Sequence, residues 1–379
     1  MMGKLTSKER VLLALNHEET DRVPVDFGGT IATTIVLPAY EKLKKFLGFE
    51  HETKIRAARA QTVIPDESVL EYFKVDTRPL VLGDFSGQKA RKINKNAFVD
   101  AWGVLWKKAE DGHYINVDGP FQEGEPGISA LENHTWPDPD DSALYQGLKE
   151  HAEFLRKNTD CAIVLGLPLG VIHQSQFLRG FTEWLMDLAG DPEFAEGLMD
   201  RICDIWCRIA QNALEAVGKH VDIVEWGDDV AMQDSLLFSQ NTYRKQIKPY
   251  HQKMINTIKS RSEAKVLFHS CGAVFPLIED FIDNGVDALN PVQVSAKGME
   301  PVQLKEKFGD LITFWGGIDT QYVLPKGTPE SVKEEVRRII EELGKGGGFV
   351  LASVHNIQAD VPTENVVAMF EEAGKVKWR

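Results

Sequence analysis

From residue 160 onward the chain alternates short, almost wholly apolar runs with long stretches whose apolar residues recur every three or four positions. "AIVLG" (162–166), "DIVEW" (222–226), "KVLFH" (265–269), "DALN" (287–290), "LITFW" (311–315) and "GFVLA" (348–352) are each followed by a helical pattern. Strands that are apolar on both faces belong to parallel sheets covered by helices, so the pattern predicts repeated strand–helix units. In the helix after "LITFW", Thr328 is the expected N-cap, Pro329 the first helical residue, and Gly344 with its neighbours the stop. "VPVDF" (23–27) and "RPLVLG" (78–83) supply two further strands, for eight in all. Eight units predict an α/β protein built as a (β/α)8 TIM barrel, with reacting groups at the C-terminal strand ends. An open doubly wound sheet is the rival, but no Gly-x-Gly-x-x-Gly turn follows any strand, and "GKGGG" (344–348) precedes one.

Residues 84–140 break the alternation. "NAFVDAWGVLWKKAEDGHYINVDGPFQ" (96–122) alternates apolar and polar residues around "EDGH", which predicts a β-hairpin inserted after the second strand. The expectation is one barrel domain over residues 1–379, with 84–140 as an embellishment over the barrel mouth.

Composition narrows the partners. The formal net charge is −14 with no basic run able to track phosphates, so nucleic acid is an unfavoured partner. No run of eighteen apolar residues occurs, and the N-terminus reads as an amphipathic helix instead of a signal peptide. Four cysteines in 379 residues make no disulfide framework and fit a reducing cytoplasm. Cys203 and Cys207, one helical turn apart in "RICDIWCRIA", read as core residues. A homodimer is the default expectation for such a barrel.

The residues closing the strands form a constellation with useful chemistry. The fourth strand ends in Glu225, Trp226, Asp228 and Asp229, and the fifth in His269 and Cys271. Asn290 and Gln293 follow the sixth, Trp315 and Asp319 the seventh, and His355, Asn356 and Gln358 the eighth. Imidazole, thiolate and carboxylate from separate strands suit a zinc site of the open, catalytic sort. His269 and Cys271 are two apart, so an extended backbone points both the same way. Each residue also has a plainer reading. His355 can orient a substrate carboxylate or be structural, at least one of Glu225, Asp228 and Asp229 is a cap or solvated charge, and Asp21 and Arg22 are ion pairs at the barrel bottom. His113, His134 and His220 receive no role.

With these residues in view, the chain resembles the uroporphyrinogen decarboxylase superfamily, whose barrel also serves cobamide-dependent methyltransferases. The resemblance lies in "RVLLALNHEETDRVPV", "TFWGGID" and "HNIQADVPTENVVAMFEEA" and covers nearly the whole length. The true decarboxylases carry an arginine-rich "MRQAGR"-like segment after the first strand, and here that place reads "DFGGTIATT". They also carry a second-strand aspartate, for which Asp84 is the nearest match. The methyltransferase branch binds zinc through a His-x-Cys pair, onto which His269 and Cys271 fall. His355 stands where that branch has a cysteine, and the decarboxylases carry a histidine at the same place without a metal. The resemblance therefore implies zinc held by His269, Cys271 and His355, with Glu225 or Asp229 completing or gating the shell. It further implies a corrinoid carried by a partner protein and methyl transfer between its cobalt and a small O- or S-methyl substrate or thiol. Gln293, Asn356 and Gln358 would orient that substrate, and Trp226 or Trp315 would stack on it. The alternatives are a porphyrinogen decarboxylase and a non-catalytic barrel that binds a tetrapyrrole or corrinoid.

Overall fold

The computed structural model describes residues 5–86, 91–110, 112–168 and 170–376. A seven-stranded parallel sheet comprises Thr77–Val81, Ala162–Gly166, Ile223–Gly227, Lys265–His269, Ala288–Val292, Thr313–Ile318 and Phe349–Ser353, hydrogen-bonded in chain order. Segment 23–27 bridges its two edges. Val25 pairs parallel with Leu351, Asp26 N donates to Leu351 O (2.9 Å), and Asp76 N donates to Val25 O (2.8 Å). This first staff of the barrel is a single bridge between Val25 and Leu351 instead of a full strand. Counting it as the first strand, the sheet supplies the second to the eighth, and the TIM-barrel-like fold expected from the alternation is the one observed.

Side-chain alternation sorts each strand into an inner and an outer face. Ala162, Val164, Ile223, Leu267, Ala288, Trp315, Val350 and Ala352 pack into one interior cluster, which Val11, Ala14 and Leu15 of the N-terminal helix Ser7–Leu15 plug from below. Arg10 of that helix reaches Asp21 and Asp76 (2.6 Å each), and Arg22 reaches Asp76 (2.7 Å). Asp21 and Arg22 thus join the ion network at the N-terminal strand ends, as expected. Outward-facing residues pack on helices, the longest being Pro192–Val217. Cys203 and Cys207 lie in its buried face with sulfurs 3.9 Å apart. Thr328 caps Pro329–Gly344 through a reciprocal bond with Ser331.

The insertion is larger than a hairpin. Arg91–Asn94, Ala97–Val99, Leu105–Lys108 and Tyr114–Asp118 form a four-stranded antiparallel sheet. The expected hairpin is its last pair, where Lys108 opposes Tyr114; Asp111 of the turn lies outside the described residues. The sheet touches the loop after the eighth strand, with His113 Nε2 3.2 Å from Gln358 Oε1. Among the described residues no helix is long and apolar enough to cross a membrane.

Candidate metal centre

The inward register of the fifth strand aims His269 into the barrel above Leu267, and Cys271 follows on the same side two residues later. Gly272 then turns the chain at φ +92°, where a Cβ would stand 2.5 Å from Met232 O. That left-handed conformation in a tight approach is one only glycine adopts without strain. His355 arrives from the loop after the eighth strand. One donor atom from each of His269, Cys271 and His355 lies within 4.8 Å of the others.

The geometry fits a divalent ion. Cys271 Sγ is 3.5 Å from His269 Nε2, and a sulfur and a nitrogen sharing tetrahedral zinc stand about 3.6 Å apart. The other ring nitrogen, His269 Nδ1, is 2.7 Å from Asn290 Oδ1, which orients the ring and leaves Nε2 for the ion. Burial and then the Asp229 charge hold the Cys271 thiol well above its usual pKa. Without a cation the sulfur stays protonated, and a bound dication reverses that balance. His355 opens toward water at the mouth, yet the surrounding protein and the nearby His269 both lower its pKa, so it presents a neutral imidazole. Neutral nitrogen is the form that binds metal.

A chain of carboxylates and imidazoles backs this trio. Asp229, about one-third exposed, accepts from Cys271 N (2.7 Å) and faces His173 Nε2 (3.3 Å) and His269 Nε2 (3.7 Å). Fully buried Asp228 accepts from Ile172 N and His173 N (3.0 Å each), capping the helix Val171–Arg179. Its side chain also faces His173 Nδ1 (3.1 Å) and His251 Nε2 (3.2 Å). Burial raises the Asp228 pKa, but the His173 and His251 hydrogen bonds outweigh it and hold the group at about 2. Burial likewise opposes the His173 cation, and Asp228 with Asp229 overcome it, raising His173 to about 10. Asp229 is held well below the usual range because His173 outweighs the burial cost. His173 is therefore an imidazolium clamped between two carboxylates.

Glu225 belongs elsewhere, outside the three-residue group. Its oxygens accept from Ile31 N (2.9 and 3.0 Å) and face Arg56 Nη2 at 3.7 Å. Burial pushes its pKa up to about 7 against the opposing effects of Arg56 and Ile31 N. The expected carboxylate ligand is therefore tied to the first loop, because the even spacing of the fourth strand aims it across Gly166 and away from the fifth strand's end.

The substrate-facing roles expected of the two tryptophans are corrected. Trp226 points outward into the helix layer, its ring 5.5 Å from His251 and 5.7 Å from Phe268. Trp315 is fully buried in the interior cluster, where Nε1 donates to Asp26 Oδ2 (2.9 Å). The amides brace loops. Gln293 Oε1 accepts from Gly272 N (2.8 Å) while its Nε2 donates to Gln233 (2.7 Å). Asn356 Oδ1 accepts from Thr34 N (3.2 Å), and Gln358 Nε2 donates to Asn356 O (2.9 Å). Asp319 accepts from three successive backbone N–H groups, Gln321 to Val323, and so starts a turn. Asp84 is exposed in a loop. His173 escaped the sequence reading, although the strand-end rule applied to the third strand leads to it. Arg56 escaped it because it comes from a hairpin outside the barrel strands.

Three comparisons bear on what this barrel is. Residues 125–376 match the family profile described as "Uroporphyrinogen decarboxylase (URO-D)". A uroporphyrinogen decarboxylase of Mannheimia succiniciproducens is 23% identical over 62% of this chain and 65% of its own length. One of Alkalilimnicola ehrlichii is 21% identical over 96% of this chain and 92% of its own. A methylated-thiol–coenzyme M methyltransferase of Methanosarcina mazei is 24% identical over 64% of this chain and 62% of its own length. The chain thus spans about half to two-thirds of the length of most of these relatives. A solved methyltransferase from Methanosarcina mazei superposes with a TM-score of 0.69, covering 98% of this chain and 99% of that one at 21% identity, which shows a shared fold. With the profile covering well over half of the sequence, the chain belongs to the uroporphyrinogen decarboxylase (URO-D) family.

Proposed function

We propose that the protein is a zinc-dependent methyltransferase, moving a methyl group between a small O- or S-methyl substrate or thiol and the cobalt of a corrinoid carried by a partner protein. One observation carries the reading: two imidazoles and a thiol converge within 4.8 Å at the C-terminal strand ends, the place where barrels do chemistry. The similarity to a methanogen methyltransferase in sequence supports it. A zinc ion held by His269, Cys271 and His355 would supply Lewis-acid activation of a sulfur or oxygen at its open fourth position.

The chain's own residues do the rest. Asn290 fixes the His269 ring. Asp229, ionised through the neutral range, is a fixed negative charge and hydrogen-bond acceptor at the mouth, kept in place by the His173 cation. It is too weak a base to store a proton. Burial brings the Glu225 carboxyl up to about 7, where its protonation changes near neutrality. The decarboxylase relatives favour a second reading, porphyrinogen decarboxylation without metal.

One set of measurements separates the two. The purified protein is expected to hold one equivalent of zinc, lost in Cys271→Ala. It is also expected to change the visible spectrum of added methylcobalamin when a thiol is supplied. A metal-free protein that decarboxylates a porphyrinogen would refute the proposal.

A further inference from the structure

The chain of charged groups behind the metal trio does not end at Asp228. It runs on into the helix layer through His251, a fully buried residue of the helix Lys248–Lys259. The His251 ring stands among Trp226, Tyr243 and Phe268, with ring centres 5.2 to 5.6 Å away. An apolar side chain would fill that space at lower desolvation cost, so the imidazole is there for what its nitrogens do. Nε2 lies 3.2 Å from Asp228 Oδ2, and Nδ1 lies 3.2 Å from Tyr243 Oη. Held at both nitrogens, the ring keeps its place independently of the rings packed on it. Tyr243 opens a π-helical turn, Tyr243–Ile247, just before the helix, and such turns are rare and concentrate at functional sites.

From Asp228 the contacts lead inward without a break. Asp228 Oδ1 faces His173 Nδ1 (3.1 Å), His173 Nε2 faces Asp229 Oδ2 (3.3 Å), and Asp229 Oδ1 accepts from Cys271 N (2.7 Å). Asp228 meets two donors on each oxygen: His173 N and Nδ1 on Oδ1, Ile172 N and His251 Nε2 on Oδ2. Gly170 makes room for this grip, since a Cβ there would stand 2.2 Å from Asp228 Cγ. Without His251, Oδ2 keeps only Ile172 N, and the carboxylate gains freedom to rotate about its Cβ–Cγ bond. That rotation would release His173, and through it Asp229, at the end of the chain that is open to water.

We infer that His251, although it hydrogen-bonds to none of the three candidate ligands, is a positioning residue for the metal centre. Acting through Asp228 and His173, it fixes Asp229 against the Cys271 backbone and so sets how Cys271 and His269 meet an ion. The inference adds a residue to the site of the proposed function, and it rests on that reading only for what a bound metal reports.

The test compares the wild type with His251→Leu, which removes the donor, and His251→Gln, whose amide N–H can still reach Asp228. Amide hydrogen exchange, followed by NMR on the metal-stripped protein, reads the Cys271 N–H. The Gly272 N–H is the internal control, because Gln293 and not Asp229 accepts it. His251→Leu is expected to speed exchange at Cys271 by about 10-fold, the scale of one lost charge-assisted hydrogen bond, with Gly272 unmoved. Its zinc affinity, measured by dye competition, is expected to fall by about 10-fold, and His251→Gln to recover most of both losses. Where His251→Leu does not fold, Tyr243→Phe takes its place; it frees Nδ1 at constant ring shape and is expected to speed Cys271 exchange by roughly 3-fold. Cys271 exchange as slow as in the wild type overturns the inference. So does equal acceleration at Cys271 and Gly272, or a glutamine variant no better than the leucine one. A wild-type protein that takes up no zinc removes the metal reading and leaves the exchange result to decide this inference; zinc uptake with Cys271 exchange unmoved does the reverse.

Discussion

Glu225→Gln isolates one buried charge with little change of shape. The glutamine amide keeps an oxygen to accept from Ile31 N and removes the titration. In the folded protein the Glu225 pKa rises from 4.5 to about 7, burial being the main cause. An acid with a raised folded pKa contributes its full stability below its unfolded pKa and loses it as pH climbs through both values. Here that loss runs from about pH 4.5 to about pH 7, and its full size is about 3 kcal/mol. About 2.5 kcal/mol of it falls between pH 5 and pH 8.5. At roughly 2.1 cal/mol/K per residue, a chain of 379 residues has an unfolding entropy of about 0.8 kcal/mol/K, so this corresponds to about 3 °C. The assay is scanning calorimetry of both proteins at pH 5 and pH 8.5. The thermal midpoint of Glu225→Gln minus that of the wild type should rise by about 3 °C between the two. Equal pH dependence in the two proteins would show that Glu225 is not a strained buried carboxyl.

Three other perturbations probe different parts of the molecule. Asn290→Leu removes the acceptor for His269 Nδ1, and competition with a zinc-binding dye should report a 10- to 100-fold weaker site, on the order of other such orienting contacts; undiminished affinity would mean His269 is not a ligand. Asp76→Ala leaves Arg22 without its carboxylate and Arg10 with Asp21 alone at the barrel base, and urea unfolding should show a loss of about 3–5 kcal/mol; a loss below about 1 kcal/mol would mean that water already satisfies the network. Trp226→Ala should cost about 3–5 kcal/mol by the same measurement while zinc affinity stays unchanged; a large drop in zinc affinity without loss of stability would return Trp226 to the site.

Much of the barrel was legible in the chain because its determinants are local. Apolar runs such as Lys265–His269 announce strands buried on both faces, and Thr328 and Pro329 start a helix through their own backbone preferences, with Gly346, Gly347 and Gly348 at positive φ just past its end. The two-residue spacing of His269 and Cys271 is likewise a local property of extended chain, and it put both on one side as expected. The insertion was legible in kind, since alternation marks antiparallel strands, but its four-stranded extent was not, since Arg91–Asn94 is exposed throughout and has a single apolar residue, Ile93, so no alternation shows in it.

Facing direction across the barrel could not be read the same way. Glu225 and Trp226 are adjacent in sequence, yet the pleat sends one inward to Ile31 and Arg56 and the other outward to His251 and Phe268. Which of two neighbours faces the interior depends on register against the adjoining strands. Asp229 acquired its place from His173, fifty-odd positions earlier, and the cation that meets Glu225 came from Arg56, away from the segment after the first strand that the family pattern pointed to. The sequence by itself determined the strand–helix repeat and the histidine–cysteine pair, because those follow from backbone geometry over a few residues. Only the tertiary structure decided which charges meet, because desolvation and ion pairing act between atoms that the chain brings together from hundreds of residues apart.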